Sequence, residues 1–423
     1  MAAITVGWWW ATTSAVSGLG SVVMEAARLS GFLSGLAVIS LVVLAARIGP
    51  LDQALGSETL YRWHGWLGRY AVIMILIHFV LVTAGYGMAD KTGVIATLSL
   101  FLIDPNLLLA FVAVLALIVI GLVSGTALRR KLSYEAWQAM HVVTYATILL
   151  ALLHQVSTGA QFLDHPVASA LWTLAYIVPV AVLLTNRLAR PVLMNLAHRF
   201  AITAVVSEGN DVYSIYIGGV GLQGLDVRAG QYIRVHADAP GLRWASNPYS
   251  LSAPPWNGQW RITVKALGGE SSRLVSLPVG TRLWIEGPLG GLTLDQNGTR
   301  PVVLVASGTG VTPIRALAEA ALVQRPKAPV VVIQRVRRPG EQLFASEWAG
   351  LAKWAKGRLT VHLRAGPRTE PGNQVDAVML RRVAPWIARA DVYVCGSADL
   401  AESVRTAALG CGAASVRIES FGW

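Results

Sequence analysis

His64 and His78 stand fourteen residues apart in one apolar segment, and His141 and His154 thirteen apart in another. At ~1.5 Å of rise per residue, each spacing separates two levels by ~20 Å along a helix axis. Two parallel helices marked in this way would hold two stacked iron porphyrins, each clamped between one histidine from either helix. Neutral imidazole is a good iron ligand. Two axial imidazoles leave no open position, so such centres pass electrons and do not bind oxygen tightly. Ionisable groups in a bilayer core are costly and by default suggest function. The plainer alternative, four separate histidines bonding between helices, leaves the matched depths of two pairs unexplained. Same-depth pairing gives His64 with His141 and His78 with His154. Fourteen residues keep His64 and His78 within ~40° of one face, whereas thirteen set His141 and His154 ~140° apart on an ideal helix. Either that second helix is distorted, as by a π-bulge, or its ligands approach from different sides. Arg62, Arg69 and Arg130 are candidates for the porphyrin propionates at one membrane surface, or plain topology charges.

A second group of residues has the chemistry of nucleotide cofactors. Asn247-Pro248-Tyr249-Ser250 offers a flat aromatic that can stack on an isoalloxazine and a hydroxyl that can bond its N5; a simple turn is the alternative. Fifteen residues after Ser250 comes Lys265, then Gly268, Ser271 and Ser272, where free backbone N–H groups and hydroxyls at a helix start suit a pyrophosphate. Gly308-Thr309-Gly310-Val311-Thr312-Pro313 follows a strand pattern and opens a helix. Its glycines let a dinucleotide approach the backbone, and Pro313 suits a first helical turn. Cys395-Gly396 ends another apolar strand, at the carboxyl edge where such sheets bind ligands. Cys395 is either a nicotinamide-side residue or buried packing. Arg335 and Arg337, with Arg338, follow the second strand of this region, where a 2′-phosphate would sit, which leans the reading to NADPH over NADH.

The elements that must position these residues divide the chain sharply. Mean hydropathy is +0.52, yet 17 charged residues fall in the first 190 and 41 in the remaining 233. Six apolar segments (about 4–23, 29–49, 63–85, 106–127, 136–156 and 167–187) approach the ~20 residues that span a bilayer. No basic residue precedes Arg28, so the first is expected to be a span with Trp8–Trp10 at its entry and not a cleaved leader. With six spans and an inside N-terminus, inner connections carry Arg47, Arg62, Arg129, Arg130, Lys131, Arg187 and Arg190; outer ones carry Arg28 and Lys91. That bias puts everything after residue 190 in the cytoplasm and the chain in a cytoplasmic (inner) membrane. Part of the net charge of +12 is this topology signal, and no basic aromatic motif points to nucleic acid. Two cysteines make neither a disulfide framework nor a thiolate metal site.

From about 200 to 300, short alternating strands with Gly and Pro turns predict a six-stranded antiparallel barrel. From 301, strands alternating with helices predict an α/β nucleotide-binding domain. The expected organisation is a membrane domain over 1–190, a flavin barrel over 195–300 and a nicotinamide nucleotide domain over 301–423.

Together these motifs resemble the ferric reductase and NADPH oxidase superfamily over nearly the whole chain. The resemblance is carried by the 14 and 13 histidine spacings and by the order NPYS, VKALGGESSRL, EGPLG, SGTGVTP, YVCGS and Glu419-Ser420-Phe421. It implies six membrane helices with two b-type haems held by His64, His78, His141 and His154, then an FAD barrel and an NAD(P)H domain. Phe421 would cover the flavin where nicotinamide docks, with Ser250 and Cys395 beside the hydride path. The family usually has Arg or His where this chain has Asn247, which puts tight FAD binding in doubt. The implied activity is electron transfer from cytosolic NAD(P)H through FAD and two haems to an acceptor outside. Ferric chelate is the first expectation, oxygen giving superoxide the second, and a periplasmic redox protein the third. The rival of another class is a membrane haem protein or anchor whose reductase half is inactive.

Overall fold

The computed structural model describes residues 2–13, 18–91, 93–129, 131–132, 134–243, 246–367, 370 and 373–420. It divides into two compact units, one of residues 1–48 and 60–188, the other of 49–59 and 189–423. Among the described residues, five helices are long and apolar enough to cross a membrane: Leu19–Ala45, Thr59–Ala89, Pro105–Ser124, Ala136–Thr158 and Pro166–His198. The sixth expected span, 4–23, is not one helix. A helix runs over Ala2–Thr12 and a new one opens at Leu19, after Gly18 takes a left-handed φ of 91°. Eleven helical residues rise ~16 Å, about half a bilayer core.

His64 and His78 lie on the helix Ser57–Ala89, and His141 and His154 on Tyr134–Thr158. The latter is uninterrupted α-helix, so the π-bulge offered for it is absent. A π turn occurs instead at Thr185–Ala189. The ~140° offset of His141 and His154 about the helix axis therefore stands. Near the carboxyl end of this helix, Gln155 accepts from Trp172 Nε1 at 2.7 Å and donates to the Tyr176 hydroxyl at 3.2 Å. Phe32 packs edge-on against both Phe162 and Trp172.

The second unit begins with six strands: β1 (Ala201–Gly209), β2 (Val212–Gly218), β3 (Tyr232–Ala237), β4 (Asn247–Ser250), β5 (Trp260–Lys265) and β6 (Leu283–Leu289). They form two antiparallel sheets, β1-β2-β5 and β4-β3-β6. Bridges Leu251–Ile262 and Ala201–Arg282 join the sheets at both seams. Inward Ile202, Ile215, Ile217, Ile233, Trp260, Ile262 and Ile285 fill the space between them. Asn195, on the helix Arg190–His198, joins β6 as a strand residue would: its side chain donates to Ile285 O and accepts from Ile285 N, both at 2.7 Å. The short helix Gly49–Leu55 also belongs to this unit, where Asp52 Oδ2 accepts from Gly290 N at 3.2 Å.

A parallel five-stranded sheet follows, of β7 (Val302–Ser307), β8 (Val330–Val336), β9 (Leu359–Ala365), β10 (Asp391–Gly396) and β11 (Ser415–Ser420), in the order β11-β10-β7-β8-β9. Both faces are covered, which explains the continuous apolar runs of β7 and β8. The strand order reverses between β7 and β10, the place at whose carboxyl ends such sheets bind ligands. Arg261 of β5 and Arg315, both buried, share Glu347: Arg261 donates at 2.8 and 3.1 Å and Arg315 Nε lies at 2.6 Å. Arg261 also bonds Ser252 O at 2.7 Å, so the network joins barrel to nucleotide domain.

Candidate functional site

In the membrane unit the rings of His64 and His141 lie with centres 6.2 Å apart. A metal–imidazole bond is ~2 Å, so one ion ligated from two sides sets ring centres ~6 Å apart. His141 stacks on Trp137 at 5.1 Å, and Trp137 in turn carries the Arg129 guanidinium on its ring. The other two histidines neighbour each other, His154 lying within electrostatic range of His78 and near Asp104 and Asn106 at the start of the helix Pro105–Ser124. His78 Nδ1 meets the Ala27 carbonyl at 2.7 Å. Since a carbonyl only accepts, Nδ1 carries the proton and Nε2 keeps its lone pair. Thr158 Oγ1 sits 3.1 Å from His154 Nδ1. His64 lies against the Leu41 backbone. Leu41 and Ala27 are themselves fourteen residues apart, so the helix Leu19–Ala45 backs both histidines of its neighbour. Arg62 and Arg69 are exposed, and Arg130 falls outside the described residues.

In the barrel, Ser250 pairs with Tyr232 across β3 and β4. Its hydroxyl is buried with no hydrogen-bond partner among the described residues. Tyr249 and Asn247 line a small crevice with Val235, Leu242 and Glu270. Burial, reinforced by the Glu270 carboxylate, pushes the Tyr249 phenol up to about 12. Asn247 Nδ2 donates to Glu270. Position 247 thus holds a neutral amide already engaged by an acid. Lys265 is exposed. Gly268 precedes the helix Gly269–Val275, and the two serines serve its first turn: Ser271 Oγ accepts from Leu267 N at 3.0 Å and Ser272 Oγ from Gly268 N at 2.9 Å.

The two nicotinamide motifs meet at the switch point. Cys395 pairs with Ala306 across β10 and β7, so the turn Gly308–Gly310 and Cys395-Gly396 leave the sheet side by side. A Cβ on Gly310 would stand 2.3 Å from the Cys395 carbonyl, which is why no side chain fits there. Thr312 and Pro313 are buried in the first turn of the helix Val311–Gln324, where the Thr312 hydroxyl donates to Thr309 O at 2.9 Å. Burial pushes the Cys395 thiol well up, and the facing Glu419 adds to the shift. Arg335 is buried at the end of β8, next to Ser307 in register, while Arg337 is exposed on the following bend. Phe421 lies outside the described residues. Sequence reasoning missed Glu270, Gly31 and Ala27; only Glu270, two residues past Gly268, carried any local signal.

Residues 30–152 match the family model described as ferric reductase like transmembrane component. Residues 304–406 match the oxidoreductase NAD-binding domain. The flavohemoprotein of Deinococcus radiodurans is 30% identical over 221 residues, 48% of this chain and 54% of that protein. The Escherichia coli protein named NADH oxidoreductase HCR is 33% identical over 156 residues, 33% of this chain and 47% of that protein. A solved structure of the flavohem-like FAD/NAD-binding domain of a Vibrio cholerae nitric oxide dioxygenase is 25% identical. It covers 53% of this chain and 99% of that one, with a TM-score of 0.43. The chain spans about half the length of the curated flavohemoproteins it matches. With a ferric-reductase-like transmembrane component followed by an oxidoreductase NAD-binding domain, the chain has the architecture of the fused ferric reductases.

Proposed function

We propose that this protein carries electrons from cytosolic NAD(P)H across the cytoplasmic membrane to an outer acceptor, of which ferric chelates are the first choice. The observation that carries the reading is the pairing of His64 with His141 at the distance one bis-imidazole iron requires. Bound FAD would supply the step from a two-electron hydride to single electrons, and two b-type haems the relay between membrane faces. His64 with His141 would hold the inner haem and His78 with His154 the outer one. On the donor side, Gly308, Thr309, Gly310, Thr312 and Pro313 bring a helix N-terminus to the dinucleotide, and Gly310 and Gly396 keep the crevice clear of side chains. Ser250 offers its free hydroxyl, Tyr249 its neutral ring, and Gly268, Ser271 and Ser272 the turn that would face the flavin's pyrophosphate. Arg335 and Arg337 favour NADPH. The five spans, taken alone, leave Arg47, Arg62, Arg129, Lys131 and Arg187 on one side, so the orientation argued from charge does not need the N-terminal segment.

The test is anaerobic reduction of the purified full chain with NADPH and added FAD, followed by ferric citrate or oxygen in separate samples. Ferric citrate should reoxidise the haem Soret and α bands faster. If oxygen does so with release of superoxide, the acceptor assignment fails and the chain is an oxidase. Absence of haem reduction by NADPH with FAD would reject the electron path itself.

A further inference from the structure

Resting on the two-haem reading, the contact between the helix Leu19–Ala45 and His78 goes one step further. We infer that Gly31 and the Ala27 carbonyl are positioning elements that fix the His78 imidazole in one orientation, Nδ1–H to the backbone and Nε2 to the outer haem. Ala27 and Gly31 are one turn apart, so they share a helix face. That face offers only a methyl and a hydrogen, and the ring from the neighbouring helix nests against it. A Cβ on Gly31 would stand 2.9 Å from both Cε1 and Nδ1 of the ring. The ring has little room to yield, because Nδ1 is tied to Ala27 O at 2.7 Å. The same carbonyl accepts from the Ser30 hydroxyl at 2.7 Å, which anchors it from its own helix. A helix interior normally favours Ala over Gly. Here Gly31→Ala is expected to act in the opposite sense, turning the imidazole off its carbonyl and misaligning Nε2.

Other glycines of this unit lack that contact. At Gly68, on the histidine helix itself, a Cβ meets only Leu41 Cδ2 at 4.0 Å; at Gly121 it meets Val72 methyls at 3.5 and 3.6 Å. The experiment compares full-length wild type, Gly31→Ala, Gly68→Ala and Gly121→Ala, purified in detergent. Haem per protein is measured by the pyridine haemochrome, and the low-spin signals by electron paramagnetic resonance. The expected result is selective. Gly31→Ala loses about half its haem, or keeps it with one of two low-spin signals displaced, while the two control variants match wild type. Unchanged haem content and signals in Gly31→Ala would overturn the inference, and so would loss of both haems together, since the inner pair is untouched by Gly31. A wild type with fewer than two haems would instead overturn the two-haem reading, so the two failures are distinguishable.

Discussion

At the scale of single residues, the chemistry turns on a few side chains whose surroundings leave one role open. Removing His64 or His141 should abolish the inner haem, so His64→Ala and His141→Ala are each expected to lose about half of the haem absorbance. Cys395 is fully buried and its thiol is held protonated, so iodoacetamide at pH 8 should label it only after unfolding, which peptide mass spectrometry reads directly. The same group sets a pH dependence. Its folded pKa lies above the ordinary thiol value of ~8.5, so the folded state keeps a proton that the unfolded state gives up, and stability falls as pH rises past ~8.5. The Tyr249 phenol, pushed up to about 12, adds a second loss beginning near the ordinary tyrosine value of ~10. Cys395→Ala should erase the first alkaline loss and leave the second. At the proposed flavin site, Asn247→Arg would give Glu270 a charged partner and place a cation in the crevice. FAD affinity is expected to rise about tenfold, the equivalent of one charge-assisted hydrogen bond, as measured by calorimetric titration.

At the scale of elements, the close approach of two turns at the switch point is the most demanding feature. Gly310→Ala would drive a methyl into the Cys395 backbone. Misplacing the dinucleotide turn by ~1 Å should lower kcat/KM for NADPH on the order of 100-fold, with FAD binding unchanged. The strands and the Gly-rich turn were legible in the sequence because both obey local rules: apolar runs for covered parallel strands, and glycine where backbone meets ligand. Strand pairing was not legible; Cys395 stands next to Ala306 only because the chain reverses its order across the sheet. The histidine spacing was legible for the same reason, since helical rise is constant. What backs each histidine was not. Ala27 and Gly31 look like ordinary apolar membrane residues, and their meaning comes from a partner 47 residues away from Gly31 in the chain. Over the N-terminal segment the composition of a span is not matched by one helix among the described residues: the first stops at Thr12 and another opens at Leu19.

At the scale of the whole molecule, the two units have separate hydrophobic cores. Two thermal transitions are therefore expected, one following the haem spectrum and one following the nucleotide half. The Arg261–Glu347–Arg315 network belongs to the second alone. Glu347→Ala strands two buried guanidinium groups, a loss of about 3 kcal/mol, and should lower only the second transition by roughly 5–10 °C. A variant that lowered the haem transition equally would contradict the division into two units. The barrel and nucleotide domain should melt together in both proteins, because their shared ion network spans the seam between them.

The neutral amide of Asn247 also bears on how such an enzyme would live in a cell. A flavin site with a neutral amide in place of a guanidinium at position 247 would bind more weakly and fill by mass action, so occupancy would follow the concentration of free cofactor. Electron flow to the outer face would then track flavin supply as well as reducing power, and a flavin-starved cell would idle its reductase with the haems intact and the protein still in the membrane.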